Sequence, residues 1–326
     1  MAVMDRRSFI QTSSLALGAS ASALAKDLPM PMVTLGKSGL KVSRFCLGGY
    51  HMRVEGEENA IKMIHKAIDL GCNFLDSAAK YHNGESDVAY GKALSGGLRL
   101  KIHLMCKAEK RDKAGALGQL ETTLKRMQTD YLDLWQCHEV VSHDEVDKIL
   151  APGGSLEAFV EAKKQGKVRH IGFTGHADPS VHQRLLASYD GWETVQHPVN
   201  LIDTHYLSFI KNVLPRVGAK GLGRIGMKSN GMGTITKASI ATIQECLRYA
   251  WSQDIDTLVS GPQTLAQLEE NVAVLKTLKK MTGPEMSTLL ERTGQGPTGS
   301  QIEKYKKKET VAGLYEAPAH RDGDAV

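Results

Sequence analysis

Short apolar runs and amphipathic stretches alternate along most of this chain. The apolar runs are four to seven residues long and rich in β-prone side chains, as buried strands are. The stretches between them, such as Ala60–Ile68, carry apolar residues at three- and four-residue spacing, which is typical of a helix with one buried face. The eight predicted strands are Val42–Gly48, Asn73–Asp76, Ile102–Lys107, Leu132–His138, His170–Thr174, Thr194–His197, Gly223–Met227 and Thr257–Ser260.

This repeated order of strand and helix predicts an α/β fold, a (β/α)8 TIM barrel in a single domain. A doubly wound sheet is disfavoured because no Gly-x-Gly-x-x-Gly follows the first predicted strand. The predicted barrel covers residues 26–282 and starts with an N-terminal hairpin around Val33–Leu40 that plugs its bottom. Residues 283–326 are predicted to form a partly flexible C-terminal extension, with a joint at 293–299 and a short helix at Ser300–Lys308.

Ionisable residues stand at the ends of three consecutive predicted strands. Asp76, Lys107 and His138 each close a strand, and Tyr81 follows five residues after Asp76. Parallel barrels build their active sites at the C-terminal ends of their strands, so these side chains are expected to share one site. A neighbouring ammonium lowers the pKa of a tyrosine, ordinarily about 10, and a carboxylate holds that ammonium in place. The set predicts proton donation to a carbonyl, with Tyr81 as general acid and His138 orienting the carbonyl.

In this order and on these elements, the four residues resemble the catalytic tetrad of the aldo-keto reductase superfamily. The resemblance extends from about Leu35 to about Leu278. It implies an NAD(P)H-dependent aldo-keto reductase that moves a hydride between NADPH or NADH and a small carbonyl or alcohol. Further matching segments are Leu35-Gly-Lys-Ser-Gly-Leu-Lys-Val-Ser, His170-Ile-Gly-Phe-Thr-Gly-His, Val195-Gln-His-Pro-Val-Asn and the stretch from Ser260-Gly-Pro to Asn271. Gly172-Phe-Thr-Gly-His and Gly226-Met-Lys look closer to a bacterial branch with an iron-sulfur tail, but that tail is missing here.

The resemblance also implies which residues bind the cofactor. Thr174 and Gln196 would hold the nicotinamide carboxamide, although Thr174-Gly175 replaces the serine-asparagine pair of the family. Met227 takes the place of a tyrosine that covers the nicotinamide in many members, and Lys228 would reach the pyrophosphate. The phosphate and adenine contacts would come from Ser260, Gly261, Thr264, Gln267, Glu270 and Asn271.

Thr264 bears on the choice between the two cofactors. Members that prefer NADP carry a lysine or arginine three residues after the glycine that is Gly261 here. Thr264 stands at that position and offers no charge to a 2′-phosphate. The lost charge-assisted contact is normally worth about 1.5–3 kcal/mol. We therefore expect at most a weak preference for NADPH, unless Lys228 or another cation compensates.

Residues 1–25 are predicted to be a twin-arginine signal peptide. Asp5-Arg-Arg-Ser-Phe-Ile-Gln matches the motif, and a weakly apolar Ala/Ser-rich segment follows and ends in Ala23-Leu-Ala25. The segment is shorter than the roughly 20 residues that span a bilayer. It predicts export of the folded protein to the periplasm through the twin-arginine (Tat) export machinery. The alternative is a cytoplasmic protein with a chance arginine pair.

The composition narrows the partners of this chain. Hydrophobic residues make up 41% and charged residues 24%, as in globular proteins. The net charge of +5 is small against 41 basic and 36 acidic residues, and no basic stripe is interleaved with aromatics, so nucleic acid is not expected as a partner. The five cysteines, at 46, 72, 106, 137 and 246, have no spacing typical of a metal or iron-sulfur site. They are predicted to be buried apolar residues, and no metal is expected.

Two other functions are alternatives to reductase activity. The barrel could act as a binding or regulatory protein with weak or no turnover, which the altered nicotinamide contacts favour and the intact tetrad disfavours. A hydrolase would need paired acids at strand ends. Asp76 and Glu139 are the candidates, but no further acidic residue stands at a comparable strand end, so this function is disfavoured. The loops at Tyr50-His51, Glu139–Pro152 and Asn230–Ile235 are expected to line the substrate pocket without favouring one substrate class. The sequence favours neither a monomer nor an oligomer.

Overall fold

The computed structural model describes residue 25 and residues 27–308. Two strands, β1 (Met32–Thr34) and β2 (Lys41–Ser43), form an antiparallel hairpin. Eight parallel strands then close into a barrel in which each strand pairs with the next along the chain. The predicted TIM barrel is therefore confirmed. The barrel strands are β3 (Phe45–Gly48), β4 (Phe74–Asp76), β5 (His103–Ala108), β6 (Leu132–Cys137), β7 (Val168–Thr174), β8 (Thr194–Pro198), β9 (Gly223–Met227) and β10 (Thr257–Ser260).

Helices pack around the outside of the barrel and bury one face each. Local capping defines several of their ends. The hydroxyl of Thr242 accepts a hydrogen bond from the backbone N–H of Glu245, whose side chain accepts one from the N–H of Thr242 in return. The helices are α1 (Glu57–Asp69), α2 (Glu85–Ala93), α3 (Lys113–Met127), α4 (His143–Leu150), α5 (Ser155–Lys164), α6 (Pro179–Ser188), α7 (Phe209–Asn212), α8 (Leu214–Ala219), α9 (Thr234–Lys237), α10 (Ile243–Ser252), α11 (Leu265–Lys276) and α12 (Gly283–Gly294).

The N-terminal hairpin closes the bottom of the barrel, as predicted. Leu35, at the tip of the hairpin, is fully buried among side chains of the barrel interior, including Phe74 and Met105. Gly36 approaches the start of β9 so closely that a Cβ would lie 2.2 Å from the backbone nitrogen of Gly223. Its φ of +46° also lies in the left-handed region. Only glycine meets both conditions at this position.

Three predicted boundaries were wrong. The first predicted strand, Val42–Gly48, is two strands, because the chain leaves the hairpin after Ser43 and enters the barrel at Phe45. The C-terminal extension contains a helix that was not predicted, α12, and the expected joint at 293–299 begins inside its last turn. The short helix expected at Ser300–Lys308 is a single 3-10 turn, Gly299–Gln301, followed by irregular chain. The division between barrel and extension after residue 282 stays a prediction.

Residues 299–308, called the C-terminal strap below, are fastened to the barrel by a buried ion cluster. The Lys306 ammonium lies 2.6 Å from a carboxylate oxygen of Asp203 and 2.7 Å from one of Glu303, and these side chains are fully buried. Lys306 also donates to the backbone oxygen of Tyr206 at 2.8 Å. Asn200 donates to Glu303 at 2.8 Å. Because buried charges are costly unless paired and hydrogen-bonded, this cluster fixes where the strap lies.

All five cysteines are buried and free of disulfide bonds. Four of them lie in or beside β3 to β6, where they pack as small apolar side chains. Burial raises the pKa of each thiol above its ordinary value. Within residues 27–308, no helix is long and apolar enough to cross a membrane. The same residues contain no group of three or more His, Cys, Asp or Glu side chains arranged to hold a metal ion.

Candidate active site

Three adjacent strands bring the predicted catalytic residues together. Asp76 is the last residue of β4, Lys107 lies near the end of β5, and His138 directly follows β6. These strands are parallel neighbours in the barrel, so their C-terminal ends open on the same face. Tyr81 begins the 3-10 turn Tyr81–Gly84 that follows β4. All four side chains line one cavity.

Lys107 and Asp76 form a buried ion pair in the wall of this cavity. Both residues are 1% exposed, and the lysine ammonium donates to Oδ1 of Asp76. The ammonium donates a second hydrogen bond, of 2.7 Å, to the backbone oxygen of Ser77. Burial disfavours the charged lysine, but Asp76 and Tyr81 outweigh it and raise the pKa of Lys107 above its ordinary value. The lysine is therefore a fixed cation at neutral pH.

Tyr81 lies against this cation and against His138. The Lys107 ammonium is 5.1 Å from the centre of the tyrosine ring, within the range of a cation–π contact. The His138 ring meets the Tyr81 ring edge-on at 5.7 Å between centres, and the Tyr50 ring does so at 5.4 Å. His82 and Asn83, next along the turn, have φ values of +49° and +57°, a conformation that is costly and clusters at functional sites.

The pKa of Tyr81 differs from the sequence-based expectation. We expected the neighbouring lysine to lower it. Instead, burial raises the pKa of Tyr81 to about 12, and the opposing effect of Lys107 is smaller. The phenol is therefore protonated at neutral pH, as a proton donor must be. The lysine acts on the tyrosinate that proton donation would leave behind, because an adjacent cation stabilises that anion.

His138 is a neutral imidazole in this setting. It is 7% exposed, and its Nδ1 has no hydrogen-bond partner among the described residues. Burial lowers the pKa of His138 well below its ordinary value, and the Lys107 and Lys80 ammonium groups lower it further. A neutral imidazole can donate one hydrogen bond to a carbonyl oxygen without placing another charge in the cavity.

The cavity is large enough for two ligands. Its volume is about 1750 Å³, whereas pockets for small molecules are commonly about 300–1,000 Å³. It extends from the tetrad, across the ends of β7 to β10, to the first turns of α10 and α11. Such a shape can accept a long ligand in one part and a small molecule next to the tetrad.

Most residues that the family resemblance assigned to the cofactor line this cavity. Gln196 and Met227 are in contact, since the Gln196 amide lies 3.6 Å from the Met227 sulfur. Thr174 accepts a hydrogen bond of 3.2 Å from the backbone N–H of Glu139. Residues of the predicted set that line the cavity are Thr174, Gln196, Met227, Lys228, Ser260, Gly261, Gln267, Glu270 and Asn271.

Thr264 is placed differently from the rest of the set. It is the N-cap of α11, where its hydroxyl accepts from the backbone N–H of Gln267, and it does not line the cavity. Packing explains why position 261 is a glycine, because a Cβ there would lie 2.4 Å from Nδ1 of His51. Ser260 accepts from the Asn271 side chain at 3.1 Å, which ties the end of β10 to α11.

Sequence reasoning missed a charged network beside the tetrad. Lys80, which precedes Tyr81, pairs with Glu139, which follows His138. Nε2 of His176 lies 3.0 Å from the other oxygen of Glu139. These hydrogen bonds, first that of His176, hold the pKa of Glu139 well below its ordinary value although burial opposes them. The neighbours of Tyr81 and His138 in sequence were the available signal, but spacing alone does not predict pairs between separate loops.

The loops predicted to line the substrate pocket lie partly on this cavity. Tyr50, His51, Glu139 and part of the loop that starts at Asn230 line the cavity, whereas most of the Glu139–Pro152 stretch forms helix α4 outside it. At the far end, the cavity is lined by Arg292, which pairs with Glu245 at 2.7 Å. That arginine belongs to α12, the helix that sequence reasoning did not predict.

This chain is similar in sequence to proteins of one known family. The sequence profile described as "Aldo/keto reductase family" matches residues 44–244, more than half of the chain. L-galactose dehydrogenase of Arabidopsis thaliana is 27% identical over 305 residues, which cover 79% of this chain and 91% of that protein. The uncharacterized oxidoreductase YrpG of Bacillus subtilis is 27% identical over 337 residues, covering 85% and 99% of the two chains.

Solved structures share the same barrel. An aldo-keto reductase from Bacillus halodurans, in its holo form, superposes with a TM-score of 0.69 at 22% identity, covering 84% of this chain and 99% of its own. An aldo-keto reductase from Klebsiella pneumoniae, solved in complex with NADPH, superposes with a TM-score of 0.67 at 20% identity, covering 84% and 98%. At these identities the likeness establishes the fold. The profile match over residues 44–244 shows that this chain belongs to the aldo/keto reductase family.

Proposed function

We propose that this protein is an NAD(P)-dependent oxidoreductase that transfers a hydride between a nicotinamide cofactor and a small carbonyl or alcohol. The observation that carries the proposal is the buried Lys107–Asp76 pair in contact with Tyr81, in one cavity with His138. A cavity that only binds a ligand has no need for a buried cation against a half-buried phenol. The experiment that tests the proposal is consumption of NADPH or NADH by the purified protein with a panel of aldehydes and ketones.

The residues of the cavity divide the chemistry between them. A bound nicotinamide supplies the hydride. His138 donates a hydrogen bond that orients the carbonyl oxygen, and Tyr81 gives that oxygen its proton. Lys107 stabilises the tyrosinate left behind, and Asp76 holds the lysine in position. In alcohol oxidation the same tyrosinate would take up the proton of the alcohol.

The cavity fits a dinucleotide, on the evidence of its own donors and acceptors. The amide of Gln196 lies at the tetrad end, where Gln136 donates to its oxygen at 2.9 Å. Nδ1 of His138, which lines the cavity, lacks a partner in the described chain. At the other end, the start of α11 presents backbone N–H groups, which favour phosphate. We infer that Thr174, Gln196 and Met227 hold the nicotinamide, and that Ser260, Gly261, Gln267, Glu270 and Asn271 hold the phosphates and adenosine.

We expect at most a weak preference for NADPH over NADH. Thr264 is uncharged, and its hydroxyl is already engaged in capping α11. Arg292 at that end of the cavity is paired with Glu245, and Glu270, which also lines the cavity, would repel a 2′-phosphate. Titration of both cofactors by protein fluorescence gives the ratio of dissociation constants, which should stay below about a hundredfold, or roughly 2.7 kcal/mol.

Arg292→Leu is the matched control for this measurement. It removes the arginine that lines the adenosine end and leaves Thr264 and the α11 terminus unchanged. A preference for NADPH above about a hundredfold in the wild type would contradict the prediction. If Arg292→Leu then abolished that preference, Arg292 would be the missing cation.

We further propose that the protein is exported to the periplasm by the twin-arginine route. The support is the motif around Arg6 and Arg7 and the site Ala23-Leu-Ala25, which, except for Ala25, lie outside the described residues. Replacing Arg6-Arg7 by Lys-Lys should abolish export and leave the uncleaved chain in the cytoplasm. Cell fractionation and the mass of the mature N-terminus measure both effects. Uncleaved wild-type protein found wholly in the cytoplasm would refute this proposal.

A further inference from the structure

Lys228 differs from the other cations of the cavity. Four lysine and arginine side chains line it, and three of them are neutralised by a carboxylate. The pairs are Lys80 with Glu139, Lys107 with Asp76, and Arg292 with Glu245. Lys228 makes no ion pair with any described residue. Its ammonium instead lies 4.9 Å from the centre of the Tyr305 ring. A cation on an aromatic face keeps its net charge, so this part of the cavity is positive.

Lys228 lies in the same cavity as the tetrad. Lys228 directly follows β9 and has a φ of +58°, which turns the chain at the mouth of the barrel. Burial lowers its pKa to about 8, Glu139 opposes this effect, and Lys80 and Lys107 add to it. Lys80 and Glu139 adjoin Tyr81 and His138 in sequence, and the Lys107 ammonium is 5.1 Å from the centre of the Tyr81 ring. Burial lowers the pKa of His51, which lies against Gly261, and Lys228 lowers it further. The charge of Lys228 therefore reaches both the tetrad and the loop that starts at Gly261.

Tyr305 is itself held rigidly by the C-terminal strap. Its hydroxyl donates to Glu303 at 2.7 Å, and Glu303 belongs to the buried cluster with Lys306 and Asp203. The Tyr305 ring also meets the His176 ring edge-on at 5.3 Å between centres. The strap thus fixes the Tyr305 ring next to Lys228. The contact with this ring holds the ammonium at one position in the cavity.

From these contacts we infer that Lys228 binds an anionic group of the substrate, so that the favoured substrates are carbonyl compounds that carry a carboxylate or a similar anion. The inference rests on the proposed reductase function and names its substrate class. A partly buried ammonium without a carboxylate has lost water without gaining a counter-ion, and an incoming anion supplies one. Tyr305 is a positioning residue for this contact. The pyrophosphate of the cofactor is the competing anion.

The test compares two aldehydes, 4-carboxybenzaldehyde and its methyl ester, in which a methyl group replaces the negative charge of the carboxylate. Calorimetry measures their binding to the protein alone and to the protein saturated with NADP⁺, where no reduction can occur. The acid should bind the wild type at least about tenfold more tightly than the ester, as expected for one charge-assisted hydrogen bond. Lys228→Met should bring the ratio near one, and Lys228→Arg should restore it. Tyr305→Leu should reduce the ratio, whereas Tyr305→Phe keeps the ring and should retain most of it.

The results distinguish an anionic group of the substrate from the pyrophosphate of the cofactor as the ligand of Lys228. If Lys228→Met left the ratio of acid to ester affinity unchanged and weakened the binding of NADP⁺, the inference would be overturned. Lys228 would then be assigned to the pyrophosphate. Equal binding of acid and ester by the wild type, or no binding of either, would overturn it as well. If the acid binds through Lys228 but neither aldehyde is turned over with NADPH or NADH, the anion site stands and the proposed reductase function fails.

Discussion

Replacing Tyr81 by phenylalanine should lower carbonyl reduction by about 10²–10⁴-fold, the usual contribution of a general acid, or roughly 3–5 kcal/mol of barrier. Only the acidic hydroxyl is lost, since the phenyl ring can keep its contacts with Lys107 and His138. Cofactor binding and melting temperature should therefore stay close to those of the wild type. Steady-state kinetics and cofactor titration on the same preparation measure the two effects separately.

Tyr50→Phe is the matched control for this change. It removes a hydroxyl from the ring that packs against Tyr81 in the same cavity, at 5.4 Å between ring centres. Because the Tyr50 hydroxyl makes no hydrogen bond to Lys107 or Asp76 in the described structure, its variant should lose far less activity. Retention of most activity by Tyr81→Phe would rule out the proton-donor role and favour a barrel that binds ligands without turnover.

Lys107→Met should reduce both activity and stability. Methionine leaves the tyrosine hydroxyl in place but removes the cation that stabilises a tyrosinate, so turnover should fall. It also leaves Asp76 buried without its counter-ion, and breaking a buried ion pair in this way typically costs about 3–5 kcal/mol. Chemical denaturation should show this loss, whereas Tyr81→Phe should unfold near the wild-type midpoint.

The pH dependence identifies the source of that instability. Burial raises the pKa of Asp76, and in the variant Lys107 no longer opposes this effect. A carboxyl whose folded pKa is raised favours folding when it is protonated, and that contribution is lost as the pH rises through the folded pKa. The deficit of Lys107→Met should thus shrink on acidification. The double variant Lys107→Met, Asp76→Asn should regain stability without regaining activity. An equal deficit at every pH would point to lost packing instead.

The sequence predicted the parts of this site that depend on local pattern. Asp76, Lys107 and His138 each end a short apolar run, and the rules of parallel barrels place such ends on one face. The direction of the Tyr81 pKa shift was not predictable, because it depends on how deeply the assembled loops bury the phenol. The break at Arg44 was missed because the residues on both sides of it are β-prone.

The C-terminal strap shows a second limit of sequence reasoning. Lys306 meets Asp203 across 103 residues of chain, and Lys228 meets Tyr305 across the barrel mouth. No rule of sequence spacing predicts either pair, because both depend on the path of the chain after α12. In the sequence, Lys306-Lys-Lys reads as an exposed basic run, yet Lys306 is 2% exposed and carries a structural ion pair.

The five buried cysteines make it possible to detect when the barrel opens. A thiol reagent meets no exposed cysteine on the native barrel, and burial also raises the pKa of each thiol, so the folded protein reacts slowly. Alkylation therefore follows the frequency with which the barrel opens, and mass spectrometry shows which strand opens first. Cys106 precedes Lys107 in β5, whereas Cys246 lies in α10 on the outer layer. Unequal labelling of these two thiols would separate a local loosening around the tetrad from unfolding of the whole domain.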